Sequence, residues 1–516
     1  MRNLLADYVA EAPDLMPFYA RPPRALFASL PKTPPWDPEL AKAVADYNER
    51  IGGHAVFTGD EAAIVTGQQA GLLTGPLYTI YKAATAVLLA RKLQARSGRL
   101  CAPVFWVASE DHDFEEVRTV HLLAKTHELA SLRYEPSAPS KGMPVNRVPA
   151  EASLHALIDD AASKAAGSEC RDGVASFLHE SLDASTSFAE WTARILARLF
   201  RDTPLILFEP HLPPARTLAQ PIVEHAIREP LLVSRLVNEA GECLENLGYP
   251  RAIVKEDNEC AFFLEEDGCR IKVTFENGRF CLPDRDRMYG MEEMRAMLAA
   301  DPGRFSGNVA LRCLVQQRLF PVAAYVAGPG ELAYWGQFKT LFETFGLDMP
   351  AVYPRAQCVL STVKLNQLRA KLGLNLDELA GSPEALAETV LQRMTDETAV
   401  GIVVRHRQAI TDAWEQFAAE LASHSAAAAA MARKTAERAA NDIERIERAL
   451  QQGDSARAAA IRGQVARLCM AFFPLRRPQE RILNIFSFLF EYGWELIPRL
   501  LKEIDIEAFA PKEIEL

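Results

Sequence analysis

The sequence predicts an α/β protein whose parallel sheet is covered by helices on both faces. Three observations predict it. Apolar, β-rich runs alternate with helical patterns. The runs are apolar throughout, as strands buried on both faces are. Each run ends in a polar or glycine-bearing segment, and open parallel sheets bind ligands beyond the carboxyl ends of their strands.

The first run, "AAIVTG" (62–67), leads through a glycine-bearing loop to a helix opened by Pro76 and reaching about Arg96. The second is "APVFWVASEDHDF" (102–114). The amphipathic "SFAEWTARILARLFRD" (187–202) precedes the third, "PLILFEPH" (204–211). The fourth, "PVAAYVAGPGE" (321–331), is followed by a helix, "LAYWGQFKTLFETFG" (332–346). Together they make a doubly wound, Rossmann-like core over residues 61–355. Two excursions decorate it, at about 122–185 and 212–305. The second carries two hairpin signals, Asp267-Gly268 and Asn277-Gly278.

Residues 1–60, with a proline-rich connector, read as a wrapping segment. Residues 356–474 read as a helical coiled-coil domain, and 475–516 as helices returning to the core. In the coiled coil, Trp414, Phe417 and Leu421 keep heptad-like spacing, as do Ile443, Ile446 and Leu450. Gly453-Asp454 is expected to end that helix. The segment after it, with Ile461, Val465, Leu468 and Phe472, is expected to return antiparallel. The alanine run at 426–430 permits close helix approach, or is a strong helix former on a solvated face.

At 516 residues, 49% apolar and 24% charged, the chain is an ordinary globular protein of more than one domain. A net charge of -11 argues against nucleic acid as a partner. No run reaches the roughly 20 apolar residues of a membrane helix. The nearest, 482–497, holds Asn484 and Glu491 and reads as a buried helix. The first residues lack a signal peptide's pattern. Nine cysteines without a CxxC pair fit reduced thiols in a cytoplasm. The spacing of Cys260, Cys269 and Cys281 matches no zinc ligand set, so no metal is expected.

The chemistry gathers at the strand ends. Thr66-Gly67-Gln68-Gln69 through Thr74-Gly75-Pro76 offers backbone N–H groups and a helix start, which suit phosphate or carboxylate. A tight turn uses the same glycines, and the loop spells neither GxGxxG nor GxxxxGK[ST]. Glu110, Asp111, His112 and Asp113 follow the second strand. In a cleft they bind an ammonium group or act as a general base, with His112 a proton shuttle. Acids at a helix start also complement its dipole, and Asp with His is a mixed metal-ligand set. Glu209-Pro210-His211 follows the third strand. Gly328, Gly330 and Glu331, before Tyr334 and Trp335, follow the fourth. The glycines allow close approach, and Glu331 either grips a polar group or caps the helix. Asn308, Arg312 and Gln316 lie upstream within reach, and Arg312 suits a carboxylate. No GxSxG elbow is present, and Cys101 and Cys313 lack activating neighbours, so nucleophilic catalysis is not expected.

Four stretches carry a resemblance: "VTGQQAGLLTGPLYTIYK", "PVFWVASEDHDFEEV", "VAAYVAGPGELAYWGQFKTLFETFGLDMPAVYPR" and "QERILNIFSFLFEYG". Together, in this order between residues 65 and 493, they resemble the bacillithiol-biosynthesis cysteine-adding enzymes, BshC. The resemblance implies a ligase that joins cysteine through an amide to the glucosamine nitrogen of glucosaminyl-malate, the last step of bacillithiol synthesis. It implies a core like that of class I aminoacyl-tRNA synthetases with connecting-peptide insertions, and a cytoplasmic homodimer held by the coiled coil. ATP or ADP is the implied cofactor, with an ADP pocket apart from the main cleft.

It also implies roles. Glu110, Asp111, His112, Asp113 and Glu331 would be catalytic. Thr66, Gly67, Gln68, Gln69, Thr74, Gly75, Pro76, Tyr78, Lys82, Asn308, Arg312, Gln316, Gly328, Gly330, Tyr334 and Trp335 would bind substrate, with Arg312 or Lys82 meeting the malate carboxylates. Gln479, Arg481, Asn484 and Tyr492 would form the nucleotide pocket. One departure matters. Class I synthetases carry HIGH where this chain has Thr74-Gly75-Pro76-Leu77, and no KMSKS-like run is visible. ATP chemistry therefore does not follow from the fold. A nucleotidyl transferase with another amine acceptor, and a dimeric nucleotide-sensing scaffold, are the competing readings.

Overall fold

The computed structural model describes residues 2–54, 57–138, 140–165, 168–393 and 399–516. The chain divides into two units, Met1–Val359 with Glu480–Ile514, and Leu360–Gln479 with Glu515–Leu516.

The first unit is built on five strands: β1 (Ala62–Gln68), β2 (Cys101–Val107), β3 (Ile206–Phe208), β4 (Val322–Ala327) and β5 (Ala351–Pro354). Their order is β5-β4-β1-β2-β3 and every pairing is parallel. Successive crossovers run one way from β1 to β3 and the other way through β4 and β5. The direction reverses between β1 and β4, where such sheets bind ligands. The strands are continuously apolar because both faces are covered: all of β2 and β4 is buried. The helix α1 (Leu77–Ser97) after β1 has thirteen buried residues spread round its circumference, since the sheet lies on one side and chain on the other.

β5 has no counterpart among the expected strands. "AVY" is too short an apolar run to announce one, and its place at the sheet edge comes from pairing with β4. The single helix expected over 332–346 is two, Pro329–Trp335 and Lys339–Thr344. The break has a cause. A Cβ on Gly336 would stand 2.9 Å from the Tyr19 hydroxyl. The adjoining Gln337 is fully buried, its amide donating to the carbonyls of Val237 and Ile253 and its oxygen accepting from Ile253 N–H.

Within the two excursions, strands 119–123 and 129–133 pair antiparallel, and a five-stranded antiparallel sheet forms from residues 259–307. Both hairpin signals are turns: φ is 51° and 75° at Asp267 and Gly268, and 50° and 77° at Asn277 and Gly278. Positive φ at both central residues matches the twist of the flanking strands. The strand Phe305–Gly307 leads from this sheet into the helix α2 (Val309–Leu319) and so back to β4. The N-terminal residues lie on the core, Tyr8 hydroxyl donating to Val352 O at 2.7 Å and Trp36 indole to Glu61 O at 2.9 Å.

The second unit is dominated by two helices, Ala399–Ala422 and Ala426–Phe472, packed on each other. The expected stop at Gly453-Asp454 is not there. The longer helix runs straight through, about 70 Å at 1.5 Å per residue. One glycine inside a helix costs about 1 kcal/mol, which 47 residues of mostly good helix formers absorb. The reversal falls instead at 423–425, where Ser425 caps the second helix by accepting from Ala428 N–H. Ala418, Ala429 and Ala432 are buried near this turn, so the alanine-rich stretch serves close approach on one face.

Candidate active site

At the switch point between β1 and β4 opens a cavity of about 470 Å³. Gly67 and Gln68 from the end of β1, Gly328 to Glu331 after β4, and Lys82 and Tyr78 of α1 line it, with Arg312 and Gln316 of α2. A larger cavity of about 1300 Å³ adjoins it, bounded by the strand-end acids, the antiparallel sheet and residues 135–138 and 140–142. Gln69, Asp111, Glu116, Val309 and Arg312 line both.

Gly67 is required by packing: a Cβ there would stand 2.9 Å from Trp106 O of β2. Behind it, Lys82 is 3% exposed, and its ammonium donates to Gly67 O at 2.8 Å and Gln68 Oε1 at 2.9 Å. It also pairs with Glu331 at 2.6 Å. Glu331 accepts further from Tyr325 hydroxyl at 2.7 Å and from Gly328 N–H at 2.8 Å. It thus caps its helix and balances Lys82 at once. Burial lowers the Lys82 ammonium below its ordinary value, with Glu331 opposing. Burial alone would raise Glu331, but Lys82 and the Gly328 N–H hold it low.

Asp111 stands on the partition. It accepts from Gln69 Nε2 at 3.0 Å and from His112 N–H at 2.8 Å, and Glu116 accepts from the same Gln69 amide at 3.1 Å. Burial raises the Asp111 carboxyl, but Arg270, Arg312 and Gln69 outweigh it and hold it below the usual carboxylate range. His112 Nδ1 lies 3.1 Å from Arg270 Nη1. A guanidinium only donates, so Nδ1 accepts and the proton of the neutral ring sits on Nε2. Burial and Arg270 lower the His112 pKa, which keeps the ring neutral near pH 7. In this arrangement His112 offers a hydrogen-bond donor at Nε2, with Nδ1 engaged by Arg270. Asp113 caps the short helix Phe114–Val117 and faces only the larger cavity.

Arg312 differs from its neighbours. Arg270 is spent on Ser306, Gly307 O and His112, and Arg355 on a bidentate pair with Glu480 at 2.8 and 2.5 Å. Among the described residues Arg312 has neither a hydrogen bond nor an ion pair from its guanidinium, although it lines both cavities.

Several expected positions lie elsewhere. Thr66 is wholly buried and donates to Val326 O, and Trp335 is core. Thr74, Gly75 and Pro76 line neither cavity. Their loop holds Leu73 and Thr74 at positive φ, 49° and 74°. Asn484, fully buried, donates to Leu73 O at 2.7 Å and Gly75 O at 2.6 Å. The loop N–H groups are also used, Gly75 to Leu72 O and Leu77 to Leu483 O. At Thr74–Pro76 the backbone N–H groups are therefore committed within the protein, while Gly67, Gln68 and Gln69 of the same loop face the cavities. Asn484→Ala strands two buried carbonyls and should cost on the order of 3 kcal/mol, read as a lowered urea midpoint; an unchanged midpoint would refute the clamp. Gln479, in the helical unit, is spent on Leu360 N–H, Leu360 O and Ala471 O. Of the four positions taken for a nucleotide pocket, only Arg481 lines the smaller cavity; Tyr492 lines neither. Asn308 caps α2 from the wall of the larger cavity.

Glu110 points away from both cavities to Arg216, at 3.1 Å. It belongs to a network behind the strand ends, with Ser109 on Glu209 and Arg216 on His211 Nδ1. Burial raises Glu209 to about 7. An unfolded glutamate ionises near 4.5, so between about pH 4.5 and 7 the folded state binds the extra proton and stability falls as pH rises. Glu209→Gln should flatten that fall in thermal scans across the interval. A decline as steep as in the parent protein would contradict it.

Glu116, Arg270, Tyr325 and Arg355 are site residues that sequence reasoning missed. Glu116 sits inside the quoted strand-end motif. Arg270 arrives from a hairpin with no motif to mark it.

Two family models cover the chain: the BshC N-terminal Rossmann-like domain over residues 1–356, and the BshC C-terminal coiled-coil domain over 358–515. A protein of Salinibacter ruber named "Putative cysteine ligase BshC" is 30% identical, covering 97% of this chain and 93% of its own. One of Bacillus cytotoxicus with the same name is 28% identical over 90% and 88%. A solved chain of Campylobacter jejuni described as a "putative arginyl t-RNA synthetase" aligns over 86% and 97% at 10% identity, but its TM-score of 0.22 carries no argument. With both domains matched end to end, the chain belongs to the BshC family of bacillithiol biosynthesis.

Proposed function

We propose that the protein is a cysteine ligase that forms an amide between the carboxyl carbon of L-cysteine and the glucosamine nitrogen of glucosaminyl-malate, completing bacillithiol. The observation that carries this reading is the partition between the cavities. One wall there sets an unpaired guanidinium, Arg312, beside two carboxylates, Asp111 and Glu116. A carboxylate seeks the first and an ammonium the second, so the two reacting groups of an amide synthesis are drawn to one place.

A C–N bond forms, one carboxylate oxygen leaves, and the nitrogen gives up two protons, one as the ammonium becomes the attacking amine and one as the amine becomes the amide. A nucleoside triphosphate, when bound, supplies the activation that makes that oxygen a leaving group. Arg312 and Arg481, which have no ion-pair partner among the described residues, are the residues here that fit its phosphates; the Thr74–Pro76 loop lines neither cavity, and its backbone N–H groups are bonded within the protein. Asp111 and Glu116 hold the ammonium and take its two protons. His112, through Nε2, donates to the acceptor. Gln68, Tyr78, Gln316, Gly330 and Tyr334 shape the donor's chamber.

The same reading makes the protein a cytoplasmic homodimer through its helical unit. Phe417, Met431 and Ile446 stand exposed on those helices, and all nine cysteines are free thiols. Among the described residues no helix is long and apolar enough to cross a membrane.

Purified protein incubated with cysteine, glucosaminyl-malate and ATP, ADP or no nucleotide, followed by mass spectrometry, tests the assignment. Bacillithiol with ATP alone is the expected result. Product without nucleotide removes the activation step, and no product in any arm removes the ligase reading. Transfer of a nucleotidyl group to the amine would favour a nucleotidyl transferase.

A further inference from the structure

We propose that the two cavities divide the substrates, the amino acid in the smaller one and the anionic, polyhydroxylated amine acceptor in the larger. This rests on the ligase reading and adds to it a place for each molecule. Size is the first ground: about 470 Å³ against about 1300 Å³, for a three-carbon amino acid against a sugar bearing a dicarboxylic arm. Polarity is the second. The larger cavity is lined with polar side chains, the acids Asp113, Glu135 and Asp284 among them, and most of its cations are committed: Lys255 to Glu259, Lys272 to Glu256, Arg118 to Glu115. Two are not. Lys141 and Arg285 line that cavity and, among the described residues, have no hydrogen bond or ion pair from their side chains. With Arg312 on the partition they are the unspent positive charges of this chamber.

Charge at the partition is the third ground. The acceptor's amine must reach Asp111 and Glu116 from the side on which its anionic arm is welcome. In the smaller cavity that arm would compete with the cysteine carboxylate and the nucleotide's phosphates for Arg312 and Arg481, beside Glu331, already balanced by Lys82. From the larger one it extends toward Lys141 and Arg285. The cysteine carboxylate then meets Arg312 from the other side, and the bond forms where the chambers touch.

The double variant Lys141→Glu, Arg285→Glu tests the division, because among the described residues neither side chain makes a hydrogen bond or ion pair. Steady-state kinetics should show KM for glucosaminyl-malate raised tenfold or more, with KM for cysteine within twofold. Calorimetry should show the same loss for glucosaminyl-malate, and glucosamine lacking the malate should bind parent and variant alike. Should KM for cysteine move instead, or neither KM move, the division is wrong. If the parent protein binds glucosaminyl-malate but makes no amide in any nucleotide condition, the ligase reading falls, while loss of that binding in the variant still upholds the acceptor site. If the parent does not bind glucosaminyl-malate at all, the acceptor site falls.

Discussion

Arg312→Ala should lower kcat/KM for amide formation by about 100-fold or more while leaving the thermal midpoint unchanged. A charge-assisted hydrogen bond to a carboxylate, lost from a cavity wall, is worth about 3 kcal/mol, and each 1.36 kcal/mol is tenfold in rate. The fold should not respond, because among the described residues the guanidinium has no hydrogen bond or ion pair. Arg312→Lys should recover part of the rate, keeping the charge but losing the planar fork. A kcat/KM within threefold of the parent would show that neither substrate uses this residue. A collapse of the midpoint would give Arg312 a structural role the contacts do not show.

Glu331→Gln should be the most destabilising change in the smaller cavity, by about 3 kcal/mol. It leaves the Lys82 ammonium, 3% exposed, with carbonyl oxygens but no counter-charge. Lys82→Met should cost less, since Glu331 keeps three donors in Gly328, Tyr325 and Tyr334. The double variant should be more stable than Glu331→Gln alone, because the unpaired charge is gone. Urea midpoints for the four proteins decide it. Additive costs within about 0.5 kcal/mol would mean the pair is not coupled. Turnover should be lost in Glu331→Gln even at temperatures where it is folded, since Lys82 fixes the Gly67 and Gln68 end of β1.

These predictions rest on contacts of unequal visibility in the sequence. The parallel sheet was legible because four runs are apolar without alternation. Both hairpins were legible because Asp-Gly and Asn-Gly answer a local backbone need. β5 and the break at Gly336 were not, since each depends on a distant partner: β4 for the strand, and Tyr19, Val237 and Ile253 for the break. The site divides the same way. Which loops meet follows from the fold class, so Asp111, Gln69, Arg312 and Glu331 were named. Which way each side chain turns does not. Glu110 and Asp111 are neighbours in sequence, yet one turns back to Arg216 and the other faces the cavities. Arg270 was invisible because the register of a hairpin more than 150 residues on delivers it to His112.

The clamp by Asn484 has a consequence for how the protein is made. Gly75 and Asn484 are 409 residues apart in the chain, and everything in the helical unit except its last two residues is translated between them. Domains usually fold as they emerge, the N-terminal one first. Here the sheet can assemble early, but the turn that starts α1 keeps two bare carbonyls until the last stretch leaves the ribosome. A chain truncated before residue 484 would lack a cap on its first loop, however complete its strands. Translation of the far end is thus what finishes the beginning.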